Sequence, residues 1–134
     1  MAAKTRIVTV SDSGRGPYGL TAAARGHTWP VDEPAEGGGA DSGPEPFELL
    51  CAALGGCTAI TVRMYAARKG WPLERIVVTV TYDKPADRGR FAIAIALEGP
   101  LDPAQRDRLL AIAERCPVHQ TLAHGAEIVT TRAG

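Results

Sequence analysis

The sequence predicts an α+β fold of order βββαββαβ, with antiparallel sheets and one long helix. Three observations predict it. Ile76, Val78, Val80 and Tyr82 alternate with Val77, Thr79 and Thr81, and Phe91, Ile93, Ile95 and Leu97 alternate with Ala92, Ala94 and Ala96, a period of two that only strands produce. Leu49 to Val62 carries no charge and is framed by a helix start and a helix stop. Gly and Pro crowd the first third, with 12 of the chain's 25 lying in residues 1–45, so that region consists of short pieces joined by turns.

In chain order, Arg6 to Val10, Thr21 to Ala24 and His27 to Val31 read as three short strands of an antiparallel meander, separated by Ser11 to Gly19 and by Arg25-Gly26. Asp32 to Gly43 is a loop by composition. A helix follows from Pro46 to Lys69: proline suits the first helical position, Glu48 lies in the first turn where the dipole favours an anion, and Arg68, Lys69 and Gly70 provide a cationic last turn and a stop. Its uncharged stretch, with Gly55-Gly56, leaves little room for a polar face, and such a helix is buried or shared with a second subunit. The two alternating runs then form a hairpin across Asp83 to Gly89. Asp102-Pro103-Ala104-Gln105 supplies an N-cap, a first-position proline and a glutamine at the third position, which predicts a helix from Pro103 to Arg115 with Leu109, Ile112, Ala113 and Cys116 on one face. Pro117 is expected to end it, Val118 to Leu122 to turn, and Glu127 to Thr131 to form the last strand. The whole chain, 1–134, reads as one domain.

The 134 residues balance 15 Lys+Arg against 15 Asp+Glu, for zero formal net charge. Nucleic acid and anionic membranes are bound through excess Lys/Arg, so neither is expected as the main partner. A chain of this length buries roughly two thirds of the surface its unfolded form exposes, enough to fold without staples. The opening MAAKTRIVTV lacks the apolar core of a signal peptide, and Leu49 to Val62 is shorter than the ~18 residues of a membrane helix. A soluble, cytoplasmic protein is expected. Three cysteines leave one unpaired, and reducing compartments disfavour permanent disulfides, so a cysteine pair here points to chemistry.

Cys57 lies mid-helix and has two readings, a small core residue or a nucleophilic thiol. Cys116, at a helix end beside Pro117, is placed as a second, resolving thiol would be. Cys51, six residues before Cys57, points off that face and reads as core filling. Cys51, Cys57, Cys116 and His119 lack the paired short spacings of a closed zinc site, and no hydrolase signature surrounds His119 or His124 to make a Cys-His nucleophile pair. By default Glu48 is a first-turn anion and Arg15, in Gly14-Arg15-Gly16, a solvated turn residue.

The run Gly43-Pro44-Glu45-Pro46-Phe47-Glu48-Leu49-Leu50-Cys51-Ala52-Ala53-Leu54-Gly55-Gly56-Cys57-Thr58-Ala59, preceded by Val31-Asp32-Glu33-Pro34 and followed by Cys116-Pro117-Val118-His119-Gln120-Thr121-Leu122, resembles the OsmC/Ohr family. Its GP-x-P-x-E-L-L pattern is closer to the OsmC-like branch than to the organic hydroperoxide resistance proteins proper. The resemblance implies an intertwined homodimer with its long helices packed at the centre and two sites at the interface. It also implies a thiol-dependent peroxidase for organic hydroperoxides, with Cys57 peroxidatic, Cys116 resolving and a dithiol, lipoyl-type or small, as reductant. No metal, haem or flavin is implied.

Attack requires a thiolate, and an ordinary thiol of pKa ~8.5 is mostly protonated at neutral pH. In the peroxidase branch an arginine after the first strand stabilises the anion and a glutamate at the start of the long helix holds that arginine. Arg15 is the matching candidate, with Arg25 the alternative. The glutamate's position, ten residues before the reactive cysteine, is Phe47 here; the nearest carboxylate, Glu48, is nine before. Nine residues at ~1.5 Å rise place Glu48 ~13 Å from Cys57 and on the opposite side of the helix, so it acts only by holding an arginine. Apolar Phe47, Leu50 and Leu54 are expected to line a site for an alkyl substituent. The alternative function is a non-catalytic or weakly redox-active dimeric binding or stress protein with an apolar interface pocket.

Overall fold

The computed structural model describes residues 4–134. Its elements are β1 (Thr9–Asp12), β2 (Leu20–Ala24), β3 (His27–Val31), a 3-10 turn (Ala35–Gly37), α1 (Pro46–Lys69), β4 (Arg75–Asp83), β5 (Arg90–Glu98), α2 (Pro103–Ala113) and α3 (Pro117–His124). The α+β class holds, with two antiparallel sheets and a long helix. The chain forms two compact units, one running to Leu50 and the other Cys51–Gly134.

The first unit is the meander β1-β2-β3 and the loop after it. Arg25 and Gly26 both have positive φ, 51° and 85°, and join β2 to β3 as a two-residue hairpin turn with Ala24 opposite His27. β1 starts three residues later than expected. Its register pairs Thr9 with Ala23 and Asp12 with Leu20, and β2 ends at Ala24, so the residues before Val8 have no strand to pair with. They open instead a groove of about 590 Å³ against Ala23 to Gly26. The loop closes on Asp32, which is 2% exposed. Its carboxylate accepts from the Glu33 N–H at 2.7 Å and from the Ser42 N–H and hydroxyl at 3.0 and 2.6 Å. The Ser42 bonds hold this carboxyl below its ordinary range against the opposing effect of burial.

α1 has the expected bounds. Glu45 and Glu48 cap it reciprocally, the Glu48 N–H donating to Glu45 Oε1 at 2.6 Å and the Glu45 N–H to Glu48 Oε1 at 2.9 Å. In the second unit, the α1 residues Val62, Tyr65 and Ala66 join Leu73, Leu101, Leu109, Ile112 and Ala113 in one core, with Ile76, Ile95 and Leu97 of the hairpin packed against it. The hairpin pairs Arg75 with Glu98 through Asp83 with Arg90, and its two faces alternate between half-buried and exposed as the period-two pattern predicts. A Cβ on Gly55 would lie 3.2 Å from Val80 Cγ2, so glycine there lets α1 approach the sheet closely; Gly56 faces open space.

Two expectations near the C-terminus are corrected. Pro117 begins a helix rather than only ending one: α2 stops at Ala113, and Val118 to Leu122, expected as a turn, lie within α3. A proline has no N–H to lose at a first helical position, which makes it as good a start as a stop. Glu127 to Thr131 forms no strand. Ile128 and Val129 are 88% and 71% exposed, and no described segment pairs with them. α1 also differs from expectation in one respect. Taken over its whole length rather than over its uncharged run alone, it is long and apolar enough to cross a membrane, as core helices also can be.

Candidate active site

Cys57 is half-buried on α1, four residues beyond Ala53 and three before Ile60, at the edge of the helix's exposed apolar stripe. Cys116 reaches the same place from the junction of α2 and α3 and is fully buried. Its N–H donates back to the Ala113 carbonyl at 3.3 Å, closing the last turn after α2. Its sulfur is the N-cap of α3, accepting from the His119 N–H at 3.5 Å, with Pro117 as the first helical residue. One residue thus ends one helix and starts the next, which fixes its sulfur against α1.

Cys116 is one of the groups that act on the Cys57 thiol. Burial, and then Cys116, push the Cys57 thiol above its ordinary range, while the Val118 N–H and the Thr61 hydroxyl pull it back. Both opposing groups are hydrogen-bond donors, which favour the anion. Thr61 follows Cys57 by one helical turn on α1, and Val118 is the second residue of α3. The free amides at the start of α3 therefore serve both sulfurs, Val118 towards Cys57 and His119 towards Cys116. Sequence reasoning missed Val118, His119 and Thr61. The signals were present: a threonine four residues after Cys57, and a Cys-Pro pair able to cap as Asp-Pro does.

A largely apolar cavity of about 570 Å³ is lined by Leu54, Phe91, Ile93, His119 and Leu122, with Arg88 and Arg90 also in its wall; neither thiol lines it. Of Phe47, Leu50 and Leu54, expected to line such a site, Leu54 does and Phe47 and Leu50 do not. A second cavity of about 400 Å³ lies over Thr58, Ile95, Leu110 and Ala113, and His119 borders both.

Arg15, Arg25 and Glu48 belong to the first unit and the cysteine pair to the second, and the groups acting on the Cys57 thiol all come from the second. Arg15 stands in the β1–β2 connection, where its N–H donates to Ser13 Oγ at 3.2 Å and its carbonyl accepts from Gly19 at 3.0 Å. Arg25 is in the β2–β3 turn. Glu48 is exposed and its carboxylate is engaged by the capping bond to Glu45. Cys51 is half-buried and faces Val78 and Val80 across a small groove. The His124 ring lies 2.8 Å from the Gln120 carbonyl at the end of α3. Among the described residues no three His, Cys, Asp or Glu side chains cluster as metal ligands.

The long helix and the antiparallel sheets recur in known proteins. Residues 38–131 match the family described as OsmC-like protein. The chain belongs to the OsmC-like protein family. No curated protein matches this OsmC-like chain. Among solved structures it is similar to the OsmC-like protein from Mycoplasma pneumoniae, at 20% identity over 91% of this chain and 89% of that one, with a TM-score of 0.77. It is similar also to an organic hydroperoxide resistance protein OsmC from Legionella pneumophila, at 23% identity over 91% of each chain and a TM-score of 0.62. The organic hydroperoxide resistance protein OhrB of Bacillus subtilis matches at 22% identity over 90% of this chain and 91% of that one, with a TM-score of 0.58. At these identities the likeness is one of fold.

Proposed function

We propose that this OsmC-like protein is a thiol-dependent peroxidase that reduces organic hydroperoxides, with Cys57 peroxidatic and Cys116 resolving. The observation that supports this reading is that Cys116 acts on the Cys57 thiol, with the His119 N–H donating to Cys116 and with Val118 and Thr61 favouring the Cys57 anion. The Cys57 thiolate attacks the outer oxygen of ROOH; the O–O bond breaks, the alkoxide leaves as ROH on taking up a proton, and sulfur becomes a sulfenic acid. The Cys116 sulfur then attacks Cys57, water departs and a disulfide forms. An external dithiol, lipoyl-type or small, reduces the bridge and is itself oxidised. The apolar cavity beside Leu54 and Phe91 takes the alkyl group.

The working unit in this reading is one domain, 1–134, paired as a homodimer. Ile60 and Met64 on α1 are 61% and 64% exposed and Gly56 faces open space, a stripe that a second copy would cover. Arg15, with Arg25 as alternative, is the cation assigned to the Cys57 thiolate, and Glu48 the carboxylate that orients it on leaving its cap. A reducing, cytoplasmic setting keeps the pair as thiols between turnovers.

Intact mass spectra before and after one equivalent of cumene hydroperoxide test this reading. A loss of two hydrogens within seconds, mapped to Cys57 and Cys116 and abolished together with turnover in Cys57→Ser, is the expected result; turnover retained in Cys57→Ser overturns it. The raised Cys57 thiol and the engaged Glu48 favour a second reading, a dimeric binding or stress protein whose cavity holds an apolar ligand. Ligand-dependent thermal stabilisation without peroxide turnover would select it.

A further inference from the structure

On the second unit, outside the cysteine site, three cations converge on one phenol. Tyr65 is 9% exposed, set in the core with Leu109 and Ile112. The charged groups of Arg68 and Lys69, one turn further along α1, lie 5.4 and 5.7 Å from its ring centroid. Arg108 of α2 lies 5.5 Å from it and donates from Nε to the phenol oxygen at 3.0 Å. Each charge lies within 6 Å of the Tyr65 ring centroid, so three cations surround one side chain.

Neither charge nor hydrogen bonding is complete there. Among the described residues the ion pairs are Arg75–Glu98 and Asp83–Arg90, and none includes Arg68, Lys69 or Arg108. The phenol accepts one hydrogen bond, but its own hydrogen has no acceptor among the described residues. The ring and the negative end of α1 attract the cations, yet they also gather three like charges around an unused buried donor. Arg108 first, then Lys69 and Arg68, draw the phenol below its ordinary range, which makes its O–H a stronger donor to an anion.

We propose that Tyr65, Arg68, Lys69 and Arg108 bind a phosphoryl dianion, either free phosphate or the phosphate group of a small metabolite. A carboxylate offers one charge to three cations, whereas a phosphoryl group offers about two charges and three acceptor oxygens to the guanidinium and hydroxyl donors. The site stands independently of the peroxidase reading.

Trp71, whose ring lies 5.6 Å edge-on from Tyr65, provides the signal. Inorganic phosphate, pyrophosphate and a sugar phosphate are titrated into the full chain at constant ionic strength, following tryptophan fluorescence and heat. Saturable binding is expected, and whether the free ion or the ester binds more tightly tells the two sources apart. Tyr65→Phe keeps the ring and the stacked cations but removes the donor, and should weaken binding about tenfold. Lys69→Gln, at an exposed position, should weaken it several-fold with the unfolding midpoint unchanged. Absence of saturation at millimolar phosphate, affinity unchanged in both variants, or tighter binding of polyglutamate than of any phosphate would each overturn the proposal.

Discussion

The helices α2 and α3 both begin at an X-Pro pair, but their caps differ in kind. Asp102-Pro103-Ala104-Gln105 forms a complete capping box: Asp102 Oδ1 accepts from the Gln105 N–H at 2.8 Å and Gln105 Oε1 from the Asp102 N–H at 3.0 Å. Cys116-Pro117-Val118-His119 has a sulfur where the other has a carboxylate, at 3.5 Å, and no side chain reaching back. Both caps serve the N–H of the third helical residue, and neither serves that of the second, Ala104 or Val118. A sulfur cap is weaker, and at α3 the Val118 backbone also favours the Cys57 anion. The first helix start carries a carboxylate cap; the second carries the thiol to which the resolving role is assigned in the proposed function.

The largest effect expected from this difference is on redox chemistry. Cys116→Ser replaces the sulfur with an oxygen that caps α3 at least as well, since serine is among the preferred N-caps. Folding should be unimpaired or slightly improved, while peroxide treatment should give a persistent gain of one oxygen on Cys57 instead of a loss of two hydrogens. Mass spectrometry reads both. An oxidised Cys116→Ser protein indistinguishable from the wild type would show that Cys116 is not the partner of Cys57.

A smaller and opposite effect is expected at the other cap. Asp102→Ala removes the acceptor for Gln105 and should cost about 1 kcal/mol of stability in urea unfolding, with peroxide turnover per folded molecule unchanged. If Asp102→Ala lowers turnover as well, the two helix starts are coupled and the contrast between a structural and a chemical cap fails.

The same contrast explains what could be read from the residues alone. The bounds of α1 and the hairpin β4–β5 were legible because each rests on local signals, Pro46 and Gly70 in one case and strict alternation in the other. α2 was legible from its oxygen cap. α3 was not, because proline after Cys116 is equally a stop and a start, and sulfur is not a usual cap. Glu127 to Thr131 has strand-forming residues, but a strand exists only against a partner, and none is supplied by the described residues. In the site, the motif contexts singled out Cys57 and Cys116, which the fold brings together. The donors Thr61 and Val118 escaped notice because a threonine in an apolar helix and a backbone amide carry no sequence signature of their own.

The smallest predicted effect concerns pH and the balance at Cys57. Burial and Cys116 raise its thiol above the unfolded value, so the neutral form is the one stabilised by folding. That stability is fully present below the unfolded thiol pKa, about 8.5, and is lost as pH rises through the higher folded value. Alkylation of Cys57 by iodoacetamide, followed by peptide mapping, should therefore rise with pH around a midpoint above that of a free thiol. Thr61→Val removes one of the two opposing donors and should lower the thiolate fraction below the midpoint about threefold, and Thr61→Ser should restore it. A wild-type midpoint below the free-thiol value would reverse the inference: a cation must then reach the sulfur, the role proposed for Arg15, and in Arg15→Gln the midpoint should climb to the value set by burial, Cys116, Val118 and Thr61.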